Sequence, residues 1–210
     1  MLTSELNSTY FGVVTIPKLP RGAAARDKLL RAAAEELAET GELEVAAVAR
    51  RAGVSAGLPY RYFGTRSGLL IAVLDAFYER LGQAAALRVY DGRTWAERER
   101  RRIHDWVRAL YAEPLAPLVL GGLVGDGEVA AANTRHLHLM IELGARNIAQ
   151  AQRTGELPAG RDPEFLAAAT LGGTNVLISV ALTRTPRPPA EEIITELWAV
   201  VSGAVGLPTT

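Results

Sequence analysis

The sequence predicts an all-α chain of about nine helices, short ones near the N-terminus and long apolar ones towards the C-terminus. Three observations carry that prediction. Alanine supplies 35 of the 210 residues, aromatics only 6%, and β-branched residues form no alternating runs, which favours helix over strand. Apolar residues recur at three- and four-residue spacing, the period of a helix face. The breaks between these stretches carry glycine, proline or a capping side chain, as helix ends require.

Residues 1–20 mix Ser, Thr, Asn and Gly with a short apolar run from Tyr10 to Ile16, end at Pro17 and Pro20, and read as a tail. A first helix begins near Ala23. Leu29, Leu30, Ala33, Ala34, Leu37 and Ala38 draw its apolar stripe, and Gly41 ends it. Val45, Val48, Ala49 and Ala52 share one side of a short second helix, broken by Gly53. Ser55 offers an N-cap for a third short helix ending near Phe63. Beyond Gly64, Thr65 is the cap candidate for a longer helix from Ser67 to about Tyr90.

Thr94 caps a helix running to about Ala112, Pro114 and Pro117 bracket an irregular piece, and Gly121 to Gly127 reads as a loop. A long helix runs from Glu128 to about Thr154 and stops at Gly155. Asp162 caps the next helix and Pro163 sits at its first position, where the missing N–H costs nothing. That helix reaches about Arg184, Pro186, Pro188 and Pro189 end it, and a last helix runs from Ala190 to about Val205.

Composition excludes several classes of function. With no cysteine, disulfides, thiolate catalysis and cysteine zinc sites are all out. No run of about 18 uncharged apolar residues is apparent, and the first twenty residues carry no signal-peptide pattern, so the expectation is a cytoplasmic protein without a membrane partner. Net charge is zero, yet residues 18–66 carry +3 and residues 67–210 carry −2. A basic end on a neutral body is what a nucleic-acid contact surface would look like.

The informative stretch is Val45 to Phe63. Two short helices separated by Gly53-Val54-Ser55 make a helix-turn-helix. The second offers Tyr60, Arg61 and Tyr62 together. Arginine donates paired hydrogen bonds to guanine or phosphate, and tyrosine hydroxyls are common phosphate donors.

The order of anchors also resembles a family. Ala25-Arg26-Asp27-Lys28-Leu29-Leu30, Gly41, Val48-Ala49-Arg50-Arg51-Ala52-Gly53-Val54-Ser55, Tyr60-Arg61-Tyr62-Phe63-Gly64-Thr65-Arg66 and Leu69-Leu70 look like the DNA-binding domain of the TetR-type repressors. The resemblance covers about 45 residues. It implies a tail over 1–20, a helix-turn-helix DNA-binding domain over 21–68, and an effector-binding and dimerisation domain over 69–210. It further implies a homodimer that reads a palindromic operator in double-stranded DNA and lets go when a small molecule binds. The DNA-contacting residues it points to are Ser55, Ala56, Leu58, Tyr60, Arg61, Tyr62 and Arg66.

Three departures from the family pattern stand out. The Gly41-to-Val54 segment is about two residues short, Leu58 and Pro59 replace the usual Thr and aliphatic residue, and Arg66 replaces a Lys. Leu58 cannot donate a hydroxyl bond, and Pro59 is tolerable only in a first helical turn.

The stretches Phe165–Leu182 and Ile193–Val205 are apolar over most of their circumference, and Ala167, Ala168, Gly172 and Gly173 permit close helix approach. They favour a two-fold four-helix dimer interface. Trp106, Tyr111, Asn133, His138 and Glu142 are candidates for the effector cavity, which would take an apolar or aromatic molecule. Each is equally a plain core or surface residue.

No cofactor or metal is expected. His136 and His138 lie two residues apart and point to opposite sides of a helix, and Gly121–Gly127 lacks the Gly-Lys-Ser/Thr of a phosphate loop. Arg50, Arg51, Arg26 and Lys28 are balanced between backbone contact and solvent, and Glu97–Arg102 reads as a solvated face with paired charges. A small helical enzyme or ligand carrier is the competing class, but no catalytic constellation supports it.

Overall fold

The computed structural model describes residues 20–123 and 125–207, with side chains from residue 23 onward. Among these residues the chain forms nine α-helices and no strand, as expected. It divides into two compact units. One holds the described residues up to Glu79 together with 125–133, and the other holds Arg80–Leu123 and the residues from Thr134. The tail read over residues 1–20 lies outside the described residues apart from Pro20, which opens the first helix.

The first unit is built on α1 (Pro20–Thr40), α2 (Val45–Arg51), α3 (Leu58–Phe63) and α4 (Arg66–Leu81). Leu29, Ala33 and Leu37 of α1, Val45, Val48 and Ala49 of α2, and Leu69, Leu70, Val73, Leu74 and Phe77 of α4 are buried. Of the expected stripe, Leu30 and Ala34 are half-buried and Ala38 faces outward. Each large apolar side chain buried here stabilises the unit by roughly 1.5–3 kcal/mol. Tyr78 of α4 donates to Asn133 Oδ1 at 2.6 Å, and burial pushes its phenol up to about 12.

The second unit contains a π-helical turn (Gly82–Ala86), α5 (Trp95–Ala112), α6 (Ala116–Leu120), the part of α7 (Gly127–Arg153) from Thr134, α8 (Pro163–Thr183) and α9 (Ala190–Ala204). α9 packs on α5 and α8, α6 packs on α8, and α5 packs on the π turn. Thr94 and Asp162 cap as expected: Thr94 accepts from Glu97 N at 3.2 Å, and Asp162 accepts from Glu164 N at 2.7 Å. Arg98 Nη2 reaches both Glu156 carboxylate oxygens at 3.0 Å, and this hydrogen bond chiefly holds the Glu156 carboxyl below its ordinary range.

Five expectations are corrected. Ser55 does not cap α3; Gly57 occupies that position without a side-chain cap, and the Ser55 carbonyl instead accepts from Leu58 N at 3.0 Å. The helix expected to reach Tyr90 ends at Leu81 and gives way to the π turn. The piece bracketed by Pro114 and Pro117 is α6, because Pro117 lies in the first turn, where no intrahelical N–H is needed. Glu97–Arg102 is a solvated face only in part: Glu97, Arg100 and Arg101 are exposed, whereas Arg98, Glu99 and Arg102 are half-buried, with partners described below. Finally, α8 is long and apolar enough to cross a membrane by length and composition, its polarity resting on Thr, Asn and Gly rather than on charge. Within the unit, Leu166, Ala167, Thr174, Ile178, Ala181 and Leu182 of α8 are buried.

Candidate nucleic-acid interface and internal cavity

The helix-turn-helix is set by local chemistry. Ala52 closes α2, and Gly53 takes a left-handed φ of 65°, a conformation that a side chain disfavours. This lets Val54 N donate back to Ala49 O at 3.0 Å and turns the chain within three residues. Pro59 is buried in the first turn of α3, the place where proline does no harm. Gly64, at φ 75°, ends α3, and Thr65 Oγ1 accepts from Gly68 N at 2.9 Å to start α4.

This geometry presents α3. Tyr60 is 53% exposed, Arg61 is exposed beside it, and Ser55 and Ala56 are exposed in the turn before them. Leu58 and Tyr62 are half-buried, and Tyr62 packs against Phe63 with ring centroids 6.3 Å apart. Arg26 lies over the Phe63 ring at 5.6 Å. Arg66 is exposed, but its Nε donates to the Leu43 carbonyl at 2.8 Å, tying the start of α4 to the turn before α2.

The two arginines ending α2 differ. Arg50 is exposed, whereas Arg51 is clamped by Glu36 at 3.0 Å and Glu39 at 2.6 Å. The pairing raises the Arg51 pKa and lowers that of Glu39. Arg51 therefore fastens α2 to α1.

The second unit bears a half-open cavity of about 210 Å³. Its walls follow helical spacing: Trp95, Glu99, Arg102, Ile103 and Trp106 on α5; Met140, Leu143, Gly144 and Asn147 on α7; Thr170, Leu171 and Thr174 on α8. Gly144 and Ala167 let α7 and α8 approach closely, since a Cβ on Gly144 would sit 3.2 Å from the Ala167 Cβ. Glu99 pairs with Arg102, and Asn147 Nδ2 donates to the same Glu99 oxygen at 3.1 Å. Trp95 is only 2% exposed, and its indole N–H is buried without a hydrogen-bond partner. An unsatisfied buried donor costs about 1–3 kcal/mol.

Of the five cavity candidates read from the sequence, Trp106 lines this cavity. Tyr111 donates to the Pro188 carbonyl at 2.9 Å, Asn133 accepts from Tyr78, and His138 and Glu142 are exposed on α7. Sequence reasoning missed Trp95, Glu99, Arg102 and Asn147. A signal existed: Trp95, Glu99, Arg102 and Trp106 are spaced four, three and four, one helix face running between two tryptophans. The other charges of that run are also engaged. Arg100 lies over the Trp198 ring at 4.4 Å, and Arg101 donates to the Asp91 carbonyl at 2.7 Å.

The outer surface of α8 carries the remaining notable feature. Phe165, Ala169, Gly172, Val176 and Val180 fall at helical spacing and are exposed, Phe165 by 76% and Val176 by 66%. Val200 of α9 is exposed as well.

The chain thus joins a helix-turn-helix unit to a helical unit that bears a cavity. Comparison with known proteins adds to this. Residues 29–73 match the family model of bacterial regulatory proteins, tetR family. The HTH-type transcriptional regulator BetI 1 of Chromohalobacter salexigens is 37% identical over 79 residues, covering 37% of this chain and 39% of that protein. The match thus spans about two fifths of that relative. A TetR-family regulator from Rhodococcus sp. matches 87% of this chain and 99% of its own, with a TM-score of 0.65 and 24% identity. FadR of Bacillus subtilis, solved with stearoyl-CoA, matches 87% and 99%, with a TM-score of 0.69 and 19% identity. The N-terminal helices, over residues 29–73, thus match the tetR family, and the fold is that of solved TetR-family regulators.

Proposed function

We propose that this chain is a DNA-binding transcription regulator, not an enzyme: a homodimeric repressor that leaves a palindromic operator when a small molecule enters the cavity. The observation that carries the reading is α3, a buried proline at its start and Tyr60 and Arg61 outward, held between two glycine turns. In this reading residues 21–68 contact DNA through Ser55, Ala56, Leu58, Tyr60, Arg61, Tyr62 and Arg66. Residues 69–210 dimerise and sense the effector, and residues 1–20 form a tail.

The exposed apolar stripe on α8 supports dimerisation. Phe165, Val176 and Val180 make a surface that water disfavours and that a two-fold copy of itself would cover. A symmetric dimer reads an inverted repeat with half-sites about one DNA turn apart. The effector acts by binding unequally to the DNA-competent and released states, since equal binding shifts nothing. The protein works where its DNA is, in the cytoplasm.

The test is selection from a random duplex pool with the purified chain, run beside Arg61→Ala and Tyr60→Ala. Enrichment of an inverted repeat, lost in the variants and falling steeply with added salt, is the expected result. A pool that stays random with ligand-stripped protein overturns the reading.

A further inference from the structure

Resting on the effector reading above, we infer that the cavity takes an amphiphilic carboxylate. Its head is held side-on by the Nε and Nη2 edge of Arg102, and its apolar body lies along the walls that α7 and α8 supply. Arg102 lines the cavity on α5, and its side chain is 24% exposed. Two contacts fix its guanidinium: Nη1 donates to Glu99 Oε2, and the guanidinium carbon lies over the Tyr90 ring, 5.1 Å from its centre. Neither contact uses Nε or Nη2, and among the described residues nothing accepts from them.

That edge presents two parallel N–H groups, the spacing of which matches the two oxygens of a carboxylate. The chain uses it so elsewhere. Nε and Nη2 of Arg80 grip Glu113 Oε2 at 2.9 and 2.8 Å, and those of Arg51 grip Glu36 Oε2 at 3.3 and 3.0 Å. In Arg102 the same edge stands half-buried beside a cavity, and a guest carboxylate supplies the acceptors it lacks.

The rest of the wall sets the sign and the direction of the guest. Glu99 is the one acid among the lining residues, and its Oε2 takes both Arg102 and, at 3.1 Å, the Asn147 amide. Its charge is shared between two donors, whereas most N–H groups of Arg102 are unengaged, so an anion gains more here than a cation. A carboxylate on the Nε and Nη2 edge also has the guanidinium between itself and Glu99, because Nη1 points the other way. On α8, Thr170 and Thr174 give their hydroxyl hydrogens to the Leu166 and Leu171 carbonyls of their own helix, at 2.9 and 3.1 Å. That wall offers a guest no hydrogen, and Met140, Leu143 and Leu171 beside it are apolar. The head therefore lies at α5 and the body towards α7 and α8.

Calorimetric titration of the full chain with octanoate, octanamide and octylamine tests the inference, and 3-phenylpropanoate beside its amide repeats the comparison on an aromatic body. For the body that binds better, the carboxylate should bind at least about tenfold tighter than the amide, with octylamine the weakest of its series. Arg102→Gln should bring the carboxylate-to-amide ratio to about one while the amide still binds. Arg102→Lys keeps the charge without the paired edge and should keep only part of the ratio. Glu99→Gln should not lower it.

Equal affinities for carboxylate and amide in the unaltered chain, where folding of a variant is not at issue, overturn the inference. So do a ratio that survives both Arg102 variants, a preference for octylamine, or no binding of any probe. The duplex enriched by selection separates this inference from the reading it rests on. A carboxylate that binds through Arg102 but leaves duplex affinity unchanged keeps the inference and removes the effector reading. An amide that binds best and releases the duplex does the reverse.

Discussion

The two units of this chain use charge in opposite ways. In the helix-turn-helix unit, Arg50 and Arg61 are turned to solvent, and Arg51, clamped by Glu36 and Glu39, holds α2 to α1 at the surface. In the second unit, Glu99 and Arg102 line a cavity and neutralise each other there. The first arrangement suits a surface that meets a polyanion, where each exposed arginine attracts and few need partners. The second suits a chamber whose wall is mostly apolar with a few polar groups. The same residue types serve either purpose, and burial decides which.

The largest effect that would sharpen this contrast lies on α8. Val176→Arg puts a charge on the apolar stripe, and if a second copy covers it, an unpaired charge becomes buried. Dimerisation should weaken by about 3–5 kcal/mol, read by sedimentation at several concentrations, with helical content unchanged because Val176 is exposed within the chain. A dimer that survives the substitution would show that the stripe is no interface.

Arg61→Ala comes next. Loss of one base or phosphate contact should cost about 1–3 kcal/mol of operator binding in a fluorescence-anisotropy titration, with helical content unaltered. Unchanged DNA affinity would break the comparison at its first term.

Alkaline titration separates the units by their tyrosines. Burial pushes both Tyr78, in the first unit, and Tyr90, in the second, up to about 12. For each, the unfolded phenol loses its proton near pH 10 while the folded one keeps it. Their contribution is whole below pH 10 and is lost as pH rises from there towards 12. Tyr78 is the more buried of the two, so Tyr78→Phe should remove up to about 2 kcal/mol of the alkaline loss in urea denaturation, and Tyr90→Phe clearly less. The smallest effect is Asp162→Ala, which deletes the cap of α8 and should lower stability by about 1 kcal/mol in the same assay.

Much of the first unit was legible in the sequence because its signals are local. Gly53 and Gly64 take left-handed φ where the turns fall, Thr65 caps α4, and Pro59 sits in a first turn. The cap of α3 was misassigned to Ser55 because the tight turn that precedes the helix uses a backbone carbonyl instead of a side chain. The helices of the second unit were legible too, through Thr94, Asp162 and the apolar period. Its cavity was not. Four helices distant in sequence make the walls, and the spacing of Trp95, Glu99, Arg102 and Trp106 marks one face of α5 without saying what that face meets. Tyr111 and Glu142 have the chemistry of cavity residues, but which helix face meets which decides what lines the cavity. The π turn was equally hidden, since its residues, Gly82-Gln83-Ala84-Ala85-Ala86, suit an ordinary helix.

That turn has a consequence for how this protein tolerates change in length. A π turn holds one residue more than the α-helical turn it replaces, and such turns gather at functional sites. Ala85 and Ala86, which it places in the cavity wall, depend on that extra residue for their direction. A single-codon deletion between Gly82 and Ala86 should therefore turn the π turn into an ordinary last turn of α4, with residues 88–94 left to take up the change in length. The deletant would fold with a differently shaped chamber, which makes these five codons a natural place for indels to alter what the chamber admits.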